Sequence, residues 1–289
     1  LSTDELIPTK PEGKFDEIFN LDCVSDKETR QANLDYAVKT GVPWVQYRKP
    51  RKGKVAIVGS GPSATDYIPM LKEWDGEVWG INRAFPWLRH RGVKVDAFVG
   101  IDPEWFLLEC TYHTEEPHPP FDATYYLAAQ VHPKVFDFLS KHNVKLWFAA
   151  DREVKLPIGA VPVPGGSTAL TRAPYLASLL GYEDVHIFGG DSSYTHKTHV
   201  HGGELPEKGV IPVVNSGRLF HTNTAMFAQA SDMVEIVTNF PGSITIHGDG
   251  LMPQMVQEKH DSGEHEQLIA MEAMEMAGMT RAQRRALRR

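Results

Sequence analysis

The stretch "VAIVGSGPSATDYI", residues 55–68, decides the fold. Val55 to Val58 form an unbroken apolar run of the kind a strand covered on both faces needs. Gly59, Ser60 and Gly61 then supply a turn, and Pro62 suits the first turn of a helix, where its missing N–H costs nothing. Strand, glycine turn and helix in that order make a junction where the phosphates of a nucleotide can meet helix N–H groups, here at Gly59–Ser63, with the Ser63 hydroxyl free to assist. Two other readings stay open at this turn. It is either a tight connection with no ligand, or the dinucleotide fingerprint Gly-x-Gly-x-x-Ala written as "GSGPSA". The fingerprint wants an acidic residue at the end of the next strand, whereas "GIN" ends in Asn82, leaving Arg83 to meet a 2′-phosphate. A P-loop is excluded, because no Gly-Lys-Ser/Thr follows.

Outward from this stretch, short apolar runs alternate with amphipathic ones. "KVAIVG", "GEVWGIN", "DAFVGID", "ATYYLAA", "VKLWFAA", "DVHIFGGD" and "SITIHG" read as strands; residues 63–74, 132–142, 167–180, 222–239 and 251–260 read as helices. The alternation predicts an α/β, Rossmann-like fold: a mostly parallel, twisted sheet with helices on both faces. In such sheets ligands gather at the carboxyl ends of the strands. Those ends deliver Gly59–Ser63, Asn82-Arg83, Asp102-Pro103 and Gly189-Gly190-Asp191. Before this domain, residues 1–50 read as an N-terminal extension with one helix near "DKETRQANLDYAVKTG". Residues 263–289 read as a helical, basic tail.

The whole chain has 289 residues and a net charge of −7, which argues against a broad nucleic-acid surface. The tail departs from that balance, since Arg281, Arg284, Arg285, Arg288 and Arg289 suit an acidic partner as well as plain solvation. The Met-rich "LIAMEAMEMAGM" before it fits core packing or a homo-oligomer contact. No apolar run approaches a membrane span, and two cysteines, Cys23 and Cys110, exclude a disulfide framework; a cytoplasmic location is expected. The histidines of "THKTHVHGG", His196, His199 and His201, fit a mobile lid, a phosphate or acceptor contact, or a metal site; no metal ligand is assigned.

"VGSGPSATDYIPML", "INRAFPWL", "VDAFVGIDP", "GGSTALTRAPYLASLLGYEDVHIFGGDSSY" and "HTNTAMFAQASDMV" resemble, in order, the blocks of a superfamily of nucleotide-using transferases. It includes 6-hydroxymethylpterin diphosphokinase-like proteins, motility-associated flagellin glycosyltransferases and bacterial family-42 sialyltransferases. The resemblance covers about residues 54–260 and implies that residues 51–262 form a nucleotide-binding transferase domain. It assigns the donor nucleotide to Gly59, Gly61, Pro62, Ser63 and Asn82; Ser60, Arg83 and Asp102, at the same strand exits, complete the expected nucleotide site. It also implies that Gly166, Ser167 and Thr168 bind ribose or phosphate, that Asp191 and Tyr194 stand in the catalytic block, and that His221 is a general base.

The reaction expected from this resemblance moves a sugar from a CMP-type nucleotide-sugar to a hydroxyl acceptor. An imidazole, titrating near neutrality, suits the removal of the acceptor proton. The alternatives are a diphosphokinase acting on a pterin with ATP and Mg²⁺, for which Asp102 and Asp191 would supply carboxylates, and a nucleotide-binding module without catalysis. The likeness lacks a second aromatic in the Asp191 block and a counterpart for a nonulosonate-binding set.

Overall fold

The computed structural model describes residues 25–262 except 114, 116–117, 152, 195–198 and 200–208. Cys23, His196, His201, the Met-rich segment and the basic tail lie outside the described residues.

Helix α1 (Lys27–Lys39) comes first and is capped by Asp26, whose carboxylate accepts the Thr29 N–H at 2.7 Å. Its Leu34 and Ala37 are buried. Buried Arg30 reaches Asp151 at 2.8 Å and also pairs with Glu153, so the extension is fastened to the main domain.

The domain is one eight-stranded sheet, every pairing of which is parallel. In chain order the strands are β1 (Arg51–Val58), β2 (Glu77–Ile81), β3 (Ala97–Gly100), β4 (Thr124–Ala128), β5 (Asn143–Ala149), β6 (Pro162–Val163), β7 (Tyr182–Phe188) and, after a hairpin, β10 (Ser243–Ile246). In space the order is β10-β7-β1-β2-β3-β4-β5-β6. Their apolar runs are buried on both faces, as in Val55–Val58 and Ala97–Gly100, which is why they read as continuous rather than alternating.

Helices surround the sheet: α2 (Ile68–Lys72), α3 (Ala84–His90), α4 (Pro133–Phe138), α5 (Ala169–Leu179) and α6 (Thr224–Asn239), followed by helical residues 251–262. The hairpin β8 (Ile211–Asn215) and β9 (Arg218–Thr222) is antiparallel and stands apart from the sheet. Its turn, Ser216-Gly217, has positive φ at both residues, as a two-residue hairpin loop requires.

Sequence and structure differ in four places. The helix expected over residues 63–74 opens as a 3₁₀ segment, Pro62–Tyr67, before α2. The helix α3 follows Asn82-Arg83 within a segment too short to show a period. Strand β6 is a two-residue edge, and the β8–β9 hairpin carries no long apolar run.

Candidate functional site

From β1 the sheet grows one way through β2 to β6, and the chain returns to the other side of β1 as β7. The gap beyond the carboxyl ends of β1 and β7 is therefore the topological switch point, where open α/β sheets bind ligands. A cavity of about 230 Å³ lies there. It is lined by Gly59–Pro62 after β1, Asn82 after β2, Thr168–Leu170 at the start of α5, Gly189–Ser193 after β7, His199, and Met226 and Gln229 on α6.

The glycine turn lines the cavity, but N–H groups of the turn are turned onto the β7 exit. Gly59 N–H donates to the Phe188 carbonyl at 2.8 Å and Gly61 N–H to that of Gly189 at 2.9 Å. The Ser63 N–H donates to the Asp191 carboxylate at 3.1 Å, so the anion at the start of the 3₁₀ segment is the protein's own. A Cβ built on Gly61 would fall 2.1 Å from Asp191 Oδ2 and 2.6 Å from the Gly189 carbonyl oxygen. Glycine is required here by that contact alone.

Unspent donors lie instead at α5. Thr168 caps this helix: its Oγ1 accepts the Thr171 N–H at 3.3 Å and the Gln229 amide at 3.0 Å. The N–H groups of Ala169 and Leu170 have no carbonyl within the helix, and both residues line the cavity. Gln229 also accepts the Ser192 hydroxyl at 3.1 Å, joining the β7 exit to the α5 cap through α6. Asn82 and Ser192, both on the cavity wall, are two of the three non-glycine residues held at positive φ among the described residues, at 46° and 48°. The Asn82 Oδ1 is buried with no hydrogen-bond partner among the described residues. Strain of this kind and an unused polar atom are features that ligand sites retain.

Charges at the site are few. Asp191 is 3% exposed, and burial raises its pKa, opposed by its contacts with Ser63 and reinforced by Asp249. Burial lowers the pKa of His199, opposed by a hydrogen bond with the Ser60 backbone. Among the described residues no Lys or Arg lines the cavity.

The cavity thus brings together Gly59, Ser60, Gly61, Pro62, Asn82, Thr168 and Asp191. The other residues singled out in the sequence lie around it. Ser63 serves Asp191 from behind. Exposed Arg83 pairs with Glu109 at 3.1 Å. Asp102 accepts the Glu104 N–H at 3.0 Å, its pKa raised by burial. Ser167 is exposed, and Gly166 is buried against Asp232, where a Cβ would lie 2.1 Å from Oδ2. Tyr194 accepts the Asn223 amide at 2.6 Å through its hydroxyl and donates its backbone N–H to the His221 carbonyl at 2.7 Å. His221 is exposed on β9 and is not in the cavity lining. Residues missed in the sequence are Ser192, Ser193, Met226 and Gln229. Met226, Gln229 and Met233 recur at helical spacing, and a Gln on that face was the available signal.

The sequence fits a family model, 6-hydroxymethylpterin diphosphokinase MptE-like, over residues 31–197, more than half of the chain. The chain belongs to this family. The matched region takes in the glycine turn, Asn82, α5 and Asp191, and ends before the hairpin and α6. No curated protein matches the sequence. Among solved structures, the MAf glycosyltransferase from Magnetospirillum magneticum AMB-1 is similar in fold, with a TM-score of 0.57 at 16% identity. The similarity covers 80% of this chain, which spans only 39% of that one. The family and this neighbour both carry the names of group-transferring enzymes and together suggest a transferase.

Proposed function

We propose that the chain is a nucleotide-dependent transferase that takes a CMP-type sugar donor at the switch-point cavity and passes the sugar to a hydroxyl acceptor. The observation that carries this reading is the composition of the cavity wall. The N–H groups of Ala169 and Leu170, which no carbonyl of the helix takes up, and the positive end of α5 suit one phosphate, while among the described residues no Lys or Arg lines the wall to balance a polyphosphate. At about 230 Å³ the cavity falls below the roughly 300–1,000 Å³ usual for whole ligands. It suits the phosphate and ribose, with the transferred group outside. Asn82 Oδ1 then finds a ribose hydroxyl to accept from.

Two histidines compete for the base. The family resemblance favours His221; the geometry favours His199, which lines the cavity and whose pKa burial lowers, in the direction that suits a proton acceptor. Glycosyl transfer requires this base to take the acceptor hydroxyl's proton as the bond from the sugar to the phosphate breaks. Tyr194 keeps its hydroxyl proton, having accepted from Asn223, and serves as a donor for the departing phosphate if the donor reaches it.

The family match favours a second reading, diphosphate transfer from ATP to a pterin. Mg²⁺ is commonly held by one or two carboxylates together with substrate phosphates, and among the described residues Asp191 is the carboxylate that lines the cavity. Asp191 would hold the ion there through the oxygen that Ser63 leaves free. Bound Mg²⁺ would supply the charge stabilisation that phosphoryl transfer needs.

Calorimetric titration with CMP, UDP, GDP and ATP, each with and without Mg²⁺, separates these readings. Metal-independent binding of CMP supports sugar transfer, and ATP binding that needs Mg²⁺ supports the diphosphokinase. If no nucleotide binds under either condition, both fail. Turnover that survives His199→Ala and stops in His221→Ala assigns the base to His221; the reverse assigns it to His199.

A further inference from the structure

We propose that His90, His113 and Glu115 bind one divalent transition-metal ion of the zinc class, at the end of α3 remote from the cavity. Their ligating atoms all lie within 4.8 Å of one another, and this is the one such group among the described residues. The three come from two elements. His90 is the last residue of α3, and His113 and Glu115 follow the 3₁₀ segment Trp105–Cys110.

Separation distinguishes a shared ion from an ordinary contact. His90 Nδ1 stands 3.6 Å from Glu115 Oε2, beyond a hydrogen bond. Two ligands each about 2.1 Å from a tetrahedral ion lie about 3.4 Å apart, close to the observed gap. The imidazoles of His90 and His113 are stacked, with centroids 4.2 Å apart and planes 7° from parallel. A metal lies in the plane of each ring it binds, so the rings must turn apart to share one; His90, with 44% of its side chain exposed, has room to do so. His113 Nδ1 now takes the Glu115 N–H at 3.3 Å, a long bond that a metal on the same lone pair would replace.

The chemistry of the set narrows the ion. Two imidazoles and a carboxylate suit zinc, nickel or copper far better than magnesium or calcium, which prefer all-oxygen shells. The carbonyl end of α3 adds partial negative charge beside His90. Three protein ligands leave a fourth position, for which water and His118, which shares a small hollow with His113, are the candidates. The ion would fix the far end of a helix about 10 Å long whose near end follows Asn82. The site is independent of the identity of the nucleotide.

The test is a calorimetric titration of the full chain, stripped with chelator, using Zn²⁺ alone, with Co²⁺ absorption as a reporter of ligand geometry. The expected result is one ion per chain in the wild type and none in His90→Ala/His113→Ala. Glu115→Gln, at an exposed side chain that cannot endanger folding, should weaken binding by more than the about 10–100-fold that outer-sphere changes cost. Absence of saturable Zn²⁺ binding overturns the proposal. So does binding that both variants retain and that His199→Ala abolishes, because the ion would then belong to the histidine loop.

Discussion

Replacing Asp232 by Asn should remove a pH-dependent penalty from the fold while loosening the donor site. Asp232, on α6, is 8% exposed. Burial pushes its pKa up from 3.8 to about 6; Glu235 adds to the rise, and the Ser167 backbone and Arg172 oppose it. Between those two values the native state holds a proton that the unfolded chain has released, so stability falls as pH rises through this window. A displacement of about 2 units corresponds to about 3 kcal/mol, all of it present as a penalty above pH 6. Asn cannot titrate, so the variant lacks that fall. Its amide nitrogen, if left unpartnered, costs about 1–3 kcal/mol at every pH, and so shifts the curve without bending it. Urea unfolding from about pH 4 to about pH 8 gives the assay, and the difference between wild type and variant is the readout. That difference should grow by about 3 kcal/mol in favour of the variant across the window. Parallel curves would refute the assignment. The penalty is tolerated because the carboxylate seats Gly166 and Ser167 ahead of α5, so nucleotide affinity should drop in the variant even where stability rises.

Ala169→Pro tests the phosphate donors directly. Proline is accepted at the first helical position, and Thr168 already has the extended backbone it demands (φ −117°, ψ 160°), so melting should change little. Losing one charge-assisted donor of about 1.5–3 kcal/mol should weaken nucleotide binding about 10–150-fold, whereas Ala169→Val, which adds bulk but keeps the N–H, should lose less. Gly61→Ala should destabilise by about 1–3 kcal/mol in urea, because Asp191 and the Gly189 carbonyl occupy the place of its Cβ. Asn82→Gly should leave stability equal or higher by relieving a positive φ, and cut nucleotide affinity through the lost amide; equal losses in both would contradict a ligand role. His247 is held neutral, its pKa lowered to about 4 by burial and by His186. Its native pKa lies below the unfolded 6.5, so its contribution is lost as pH falls from there, by about 3 kcal/mol at most. His247→Gln should flatten that acid limb, and the effect cancels from the Asp232 comparison.

The sheet was legible because parallel strands buried on both faces must be runs of apolar residues, and all seven named runs became strands. Their order was beyond any such reading. β7 lies beside β1 through pairings such as Val58 with Phe188, 130 positions apart, which no local pattern encodes. The same limit explains the site. Asn82 and Thr168 could be placed on the cavity wall from sequence because strand exits and helix starts are local features. Gln229 was missed because its position comes from reaching two loops at once, and the contact of Gly166 with Asp232, 66 positions away, was equally out of reach.

The glycine turn shows how a correct fold can mislead about chemistry. A turn after the first strand offers its N–H groups to a phosphate only if nothing else claims them. In this chain β7 lies directly against β1, and its exit presents the Phe188 and Gly189 carbonyls and the Asp191 carboxylate to those N–H groups. Three donors are spent before any ligand arrives, and a buried carboxylate stands where a phosphate would add a second negative charge. In the function proposed above, anion binding falls instead to the next helix terminus on the same rim. That terminus is α5, whose cap is completed by its own Thr168 and Thr171 and whose first two N–H groups have no carbonyl partner within the helix. The opening stretch therefore builds the wall beside the switch point, while in the proposed function "GGSTAL", residues 165–170, is the segment that would hold the phosphate.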